Sequence, residues 1–124
     1  MKLEDAIKGI LHYREQIHKE HLWDNPVALS ETLVKLATYN AYLADNIAVL
    51  HKKATDKAYA IFTEAKAGGE TVTSAEQMAR GESTQERKQY EQVKDIHKST
   101  DNLVSVIQSR LRVVENQIKR EGQL

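Results

Sequence analysis

The feature that most constrains this chain is the unbroken stretch between its only proline, Pro26, and the glycine pair Gly68-Gly69. It is rich in Ala, Leu, Lys and Glu, and it spaces its apolar residues at alternating steps of three and four. One seam reads Leu29, Leu33, Leu36, Asn40, Leu43, Ile47, Leu50 and Ala54. A repeat averaging about 3.5 residues keeps one helical stripe facing a partner along its length. Asn25 is a good N-cap, and proline is pre-organised for the first helical position. The pattern therefore predicts a helix over 26–67. Nowhere does the sequence alternate apolar and polar residues as a half-buried strand requires.

A second seam matches the first: Tyr90, Val93, His97, Thr100, Val104, Ile107, Leu111, Val114 and Ile118. It predicts a helix over 84–121, opened by Ser83-Thr84-Gln85-Glu86, which has capping-box spacing, and ending near Gly122. Thr73-Ser74-Ala75-Glu76 carries the same signal and predicts a short helix over 74–80, closed by Gly81. Residues 3–22 place Leu3, Ile7, Ile10, Leu11, Ile17 and Leu22 at helical spacing. The expected fold is all-α, one helical domain over 1–124. Its centre is a long antiparallel helical hairpin, coiled-coil-like, with a short N-terminal helix added to make a bundle. A hairpin turning near residue 76 would set His97 opposite Ala54, a large residue against a small one. Asn40 either fixes register from inside the seam or sits half-exposed near a helix end.

Both long helices carry more apolar surface than one hairpin buries. The first has a neighbouring stripe of Val34, Ala37, Ala41, Ala44, Ala48, His51, Thr55, Ala58, Phe62 and Ala65. The second adds Ile96, Leu103, Val106 and Val113. The surplus implies self-association, as a dimer or larger symmetric bundle, or a protein partner. The competing arrangement is a monomer whose short helices cover everything.

Composition narrows the function classes. The 124 residues include no cysteine, which excludes disulfides, thiolate zinc sites and a cysteine nucleophile. No stretch approaches the roughly 18 apolar residues of a membrane span. The N-terminus has early acids and no apolar core, unlike a signal peptide. The expected location is the cytoplasm, with no membrane contact. Eighteen basic and eighteen acidic side chains balance, which argues against a generic nucleic-acid binder.

The catalytic signatures searched for are incomplete. Glu15 and His18 match the Glu-x-x-His unit of di-iron bundles, but the only other candidate has Lys94 where the glutamate belongs, three residues before His97. His18 and His21 share a helical face and would need a third ligand to hold a metal. Gly68-Gly69 lacks the spacing and lysine of a phosphate loop. No elbow presents a serine nucleophile. The chain is therefore expected to be no enzyme and to need no cofactor or metal. Trp23, beside Tyr13 in the expected helix corner, reads as a small satellite core. Charge is unevenly spread. Residues 68–83 hold three acids and one Arg, net −2, while residues 84–124 hold eight bases and six acids, net +2. Arg110, Arg112, Lys119 and Arg120 are the candidate contacts for nucleic acid or another anionic ligand. Cations near a helix C-terminus also simply offset the macrodipole.

The run Thr73-x-Ala75-Glu76-x-x-Ala79-Arg80 follows a long Lys-rich helix. It precedes Tyr90 and a helix ending in RLRVVENQIKR, Arg110 to Arg120. Over roughly residues 55–120 this is similar to a group of small all-helical phage and prophage proteins from early replication and recombination gene neighbourhoods. The resemblance implies a viral accessory protein that acts by binding, and it assigns no catalytic residues. The glycine pair and the separate N-terminal helix fall outside that pattern. The function expected is a non-enzymatic accessory factor that binds or inhibits a protein of a DNA-processing or host-defence system. Two alternatives stand beside it: a nucleic-acid-binding oligomer using the basic last helix, and a symmetric helical assembly holding a small anionic ligand.

Overall fold

The structure, a computed structural model, describes residues 1–19 and 22–122. Among these it contains four α-helices and no strand: α1 (Leu3–Ile17), α2 (Pro26–Ala67), α3 (Val72–Glu82) and α4 (Thr84–Gly122). The fold is the expected all-α bundle. The start of α2 follows its predicted chemistry, since the Ala28 N–H donates to Asn25 Oδ1 at 3.1 Å. Its end is a paired-bond cap. Gly69 N–H donates to Lys66 O at 3.1 Å and Glu70 N–H to Ala65 O at 3.0 Å. That geometry needs a left-handed residue, and Gly69 has φ +94°.

Three boundaries differ from the sequence expectation. First, α1 stops at Ile17 instead of 22. His18 and Lys19 close it with i→i−3 bonds at 3.2 and 3.1 Å. Second, α3 begins at Val72, because Thr71, not Thr73, is the cap: its side chain accepts from Ser74 N–H at 3.1 Å. Third, Gly81 does not end α3, which runs on to Glu82. Ser83 and Thr84 are not a capping box either. The Ser83 hydroxyl donates back to Ala79 O at 2.6 Å, and that of Thr84 to Gly81 O at 2.8 Å and Arg80 O at 3.0 Å. These hydroxyls satisfy carbonyls of the helix that is ending. Glu86 turns instead to Lys57.

The chain forms two compact units. One comprises Met1–Leu43 with Ile96–Leu124, the other Ala44–Asp95. The first packs α1 against the leading part of α2 and the trailing part of α4. Its core holds Ile10, Leu29, Leu36, Leu43 and Ile107, all fully buried. Each such side chain contributes about 1.5–3 kcal/mol by leaving water. A Cβ on Gly9 would lie 2.5 Å from the Tyr39 ring, so glycine is what lets α1 approach α2 this closely. Arg14 donates to Thr100 Oγ1 at 3.1 Å and also to Ser99 Oγ. Asn40 is buried, and its Nδ2 donates to Asp101 Oδ1 at 2.8 Å and to His97 O at 3.3 Å. It thus holds the interior seam position, and its Oδ1 has no partner among the described residues.

The second unit pairs the trailing part of α2 with α3 and the leading part of α4. Lys57 bonds Glu86 at 2.7 Å and the His51 ring meets Tyr90 at 4.8 Å, so the two helices of this pairing run antiparallel. The chain reverses at Gly68–Glu70, where α2 is capped, not near residue 76. The register is correspondingly shifted, and His97 lies at the level of Asn40 rather than opposite Ala54. Most of the buried positions here are small: Ala54, Ala65, Ala75, Ala79 and Ser83, with Leu50 and Val93.

Candidate functional site

The second unit contains a cleft of about 710 Å³ between α2 and the α3–α4 segment. It arises from two stripes of helical spacing. His51, Thr55, Ala58 and Phe62 line it from α2, and Glu76, Arg80, Ser83, Arg87 and Tyr90 line it from the other side. Its floor is open because Ala54, Ala58 and Ala79 are small. Large rings stand around that floor. Tyr59 is 71% exposed, Phe62 and Tyr90 are half-buried, and the His51 and Tyr90 rings meet at 55°. Lys94 Nζ lies 5.8 Å from the centre of the Tyr90 ring, within cation–π range.

The rim is charged but balanced: Glu76, Arg80, Arg87 and Glu91. Among the described residues neither arginine side chain makes a hydrogen bond or ion pair, although Arg87 is half-buried. Lys57 and Glu86 brace the same unit. The hydrogen bond from Lys57 holds the Glu86 carboxyl below the ordinary carboxylate range, helped by a backbone hydrogen bond and opposed by burial. Ser83 lines the cleft, but its hydroxyl is committed to Ala79 O.

The adjacent stripe of α2 is open in each unit. In the first, Val34 is 60% exposed, and Ala37 and Ala41 are exposed with it. In the second, Ala44, Ala48, His51 and Thr55 are exposed, and burial returns only at Ala58, Phe62 and Ala65. The short helices do not cover this face. Helix α1 packs instead over Tyr39 and Thr100. On α4, Val106 and Val113 are also exposed, whereas Ile96 and Leu103 are half-buried.

The structure separates the four basic residues singled out from the sequence. Arg110 is taken up in the corner between α1 and α2, where Nε donates to Trp23 O at 2.8 Å and Nη2 to Asp24 Oδ1 at 2.6 Å. Arg112, Lys119 and Arg120 are exposed on α4. Arg112 and Lys119, seven residues apart, share one helical stripe. Trp23 is half-buried, and the Tyr13 ring pairs with Tyr39 at 6.3 Å and His12 at 5.0 Å. His18 is exposed, while His21 lies outside the described residues. Among the described residues no three His, Asp or Glu side chains gather as a metal site, and no helix is long and apolar enough to cross a membrane.

Sequence reasoning missed the cleft. Its signal was present, since Arg80, Ser83, Arg87 and Tyr90 step by three and four. The expectation set Glu76 and Arg80 on a short helix at the turn itself, whereas α3 follows the turn and its Glu76 and Arg80 line the cleft with α2. No family model matches the chain, and no curated protein or solved structure is detectably similar to it.

Proposed function

We propose that the protein works by binding another protein and not by chemistry of its own. In this reading it is an accessory factor of the phage type that the resemblance implies, binding or inhibiting a component of DNA-processing or host-defence machinery. The observation that carries the reading is the uncovered apolar stripe of α2, which in the second unit leads into an aromatic-lined cleft. Apolar surface concentrated in one stripe and bordered by charged residues is the mark of an interface. The cleft residues favour binding over catalysis, because Ser83 is tied to a backbone carbonyl and the charged groups sit at the rim.

The test is affinity capture of the full chain in the cells that carry its gene, with Ala41→Glu as the comparison. A stoichiometric partner held by the unchanged chain and lost by Ala41→Glu, with helicity intact by circular dichroism, supports the reading. Equal recovery by both overturns it.

A second reading is contact with a nucleic-acid backbone through Arg112, Lys119 and Arg120. It is favoured by their exposure and by the lack of ion pairs for all three among the described residues. Binding of that kind must weaken between low and moderate salt, because phosphate contacts release counterions. With Arg110 engaged elsewhere, this patch is smaller than the sequence implied.

A further inference from the structure

The cleft of the second unit sets two kinds of unpartnered side chain on facing walls. From α2 come the rings of Tyr59 and Phe62, and from the α3–α4 segment the guanidinium groups of Arg80 and Arg87. Among the described residues neither ring meets another ring, and neither arginine makes a hydrogen bond or ion pair. We propose that this cleft binds a small molecule that joins a flat ring to an anionic group, of the class of a nucleoside monophosphate. The ring lies against Tyr59 and Phe62, and the phosphate lies between the arginines.

The charges favour an anion at that place. Each arginine has a glutamate four residues away, Glu76 before Arg80 and Glu91 after Arg87, yet neither pair is formed among the described residues. Both glutamates are exposed, at the ends of the row, where water and salt screen them. The cations are the inner two, and Arg87 is half-buried. A guanidinium taken from water without a counter-charge is unfavourable, and its forked N–H donors match the oxygens of a phosphate. The rings on the other wall complete the selection. Stacking on an aromatic side chain suits any flat base. A purely apolar ligand leaves the arginines unpaired, and phosphate alone leaves the rings in water. The cleft volume of about 710 Å³ suits a small molecule. This inference goes beyond the protein-binding reading and does not depend on it.

The experiment is calorimetric titration of the full chain with the common ribonucleoside monophosphates, adenosine and inorganic phosphate. At least one monophosphate should bind, one per chain, with a Kd below about 1 mM. Adenosine and phosphate should each bind at least roughly tenfold more weakly than the monophosphate, since each lacks one half of the contact. Arg80→Gln and Arg87→Gln should each weaken binding roughly tenfold, the loss of a hydrogen bond to a charged group. Arg112→Gln, outside the cleft, should leave it unchanged. If Arg87→Gln fails to fold, the exposed Arg80 carries the test. Absence of binding by every monophosphate overturns the proposal. So does adenosine binding as tightly as its monophosphate, or a loss in Arg112→Gln equal to that in Arg80→Gln. Ala41→Glu should bind nucleotide as the unchanged chain does. A chain that captures a protein partner but takes no nucleotide therefore removes this inference alone. One that takes nucleotide but captures no partner removes the protein-binding reading alone.

Discussion

The two units use the same pair of helices to different ends. In the first, branched aliphatic side chains fill the interior, and polar side chains tie the elements together: Arg14 on Thr100, Asn40 on Asp101 and Arg110 on Trp23. In the second, alanine occupies most of the interior and the aromatic rings stand at the edge of a cleft. Stability and binding surface draw on the same apolar side chains. A unit that buries them gains stability, and one that displays them gains a face for association.

The contrast is most easily broken at the first unit's core. Leu36→Ala should destabilise the protein by about 2–5 kcal/mol, the cost of a cavity at a fully buried leucine. Phe62→Ala in the second unit should cost only about 1 kcal/mol in the monomer, because its half-buried ring is already near solvent. Paired denaturant titrations measure both. Equal losses would remove the distinction between the units.

Gly9→Ala should follow, at about 1–3 kcal/mol from overpacking against Tyr39. Shortening Tyr39 in the same chain should restore part of that loss, a coupling read from a double-mutant cycle. Asn40→Ala should cost about 1–3 kcal/mol, since it strips a hydrogen bond from Asp101 and opens a small cavity. Its partnerless Oδ1 puts the expected value at the low end.

The smallest effect concerns acid. Glu86 has its folded pKa lowered by Lys57, so its ionised form is favoured in the folded state. The associated stability is present above the unfolded carboxylate value of about 4.3 and is lost as pH falls below it toward the folded value. Glu86→Gln should remove that part of the acid limb in a pH series of unfolding midpoints, leaving the neutral-pH slope unchanged.

The sequence was most legible where one residue type has one use. Asn25 and Pro26 marked the start of α2, Gly69 its end, and the seam of leucines named the buried side of α2 almost residue by residue. It was least legible where several residues compete for one role. Capping-box spacing assigns the cap of α3 to Thr73, whereas the hydroxyl that takes it is that of Thr71. The turn lies at Gly68–Glu70 and not near residue 76, which moves the register of His97 and brings Arg80 and Arg87 alongside α2. Arg110 was misleading for a related reason. A surface arginine reads the same whether it awaits a ligand or clamps a carbonyl on another helix, and the Trp23 carbonyl is silent in sequence.

Hydrogen exchange of the full chain tests the central claim most directly. Amides of residues 50–67 and 72–93 should exchange faster than those of 29–43 and 100–114. Uniform protection would contradict the account, because the second unit would then be as complete on its own as the first.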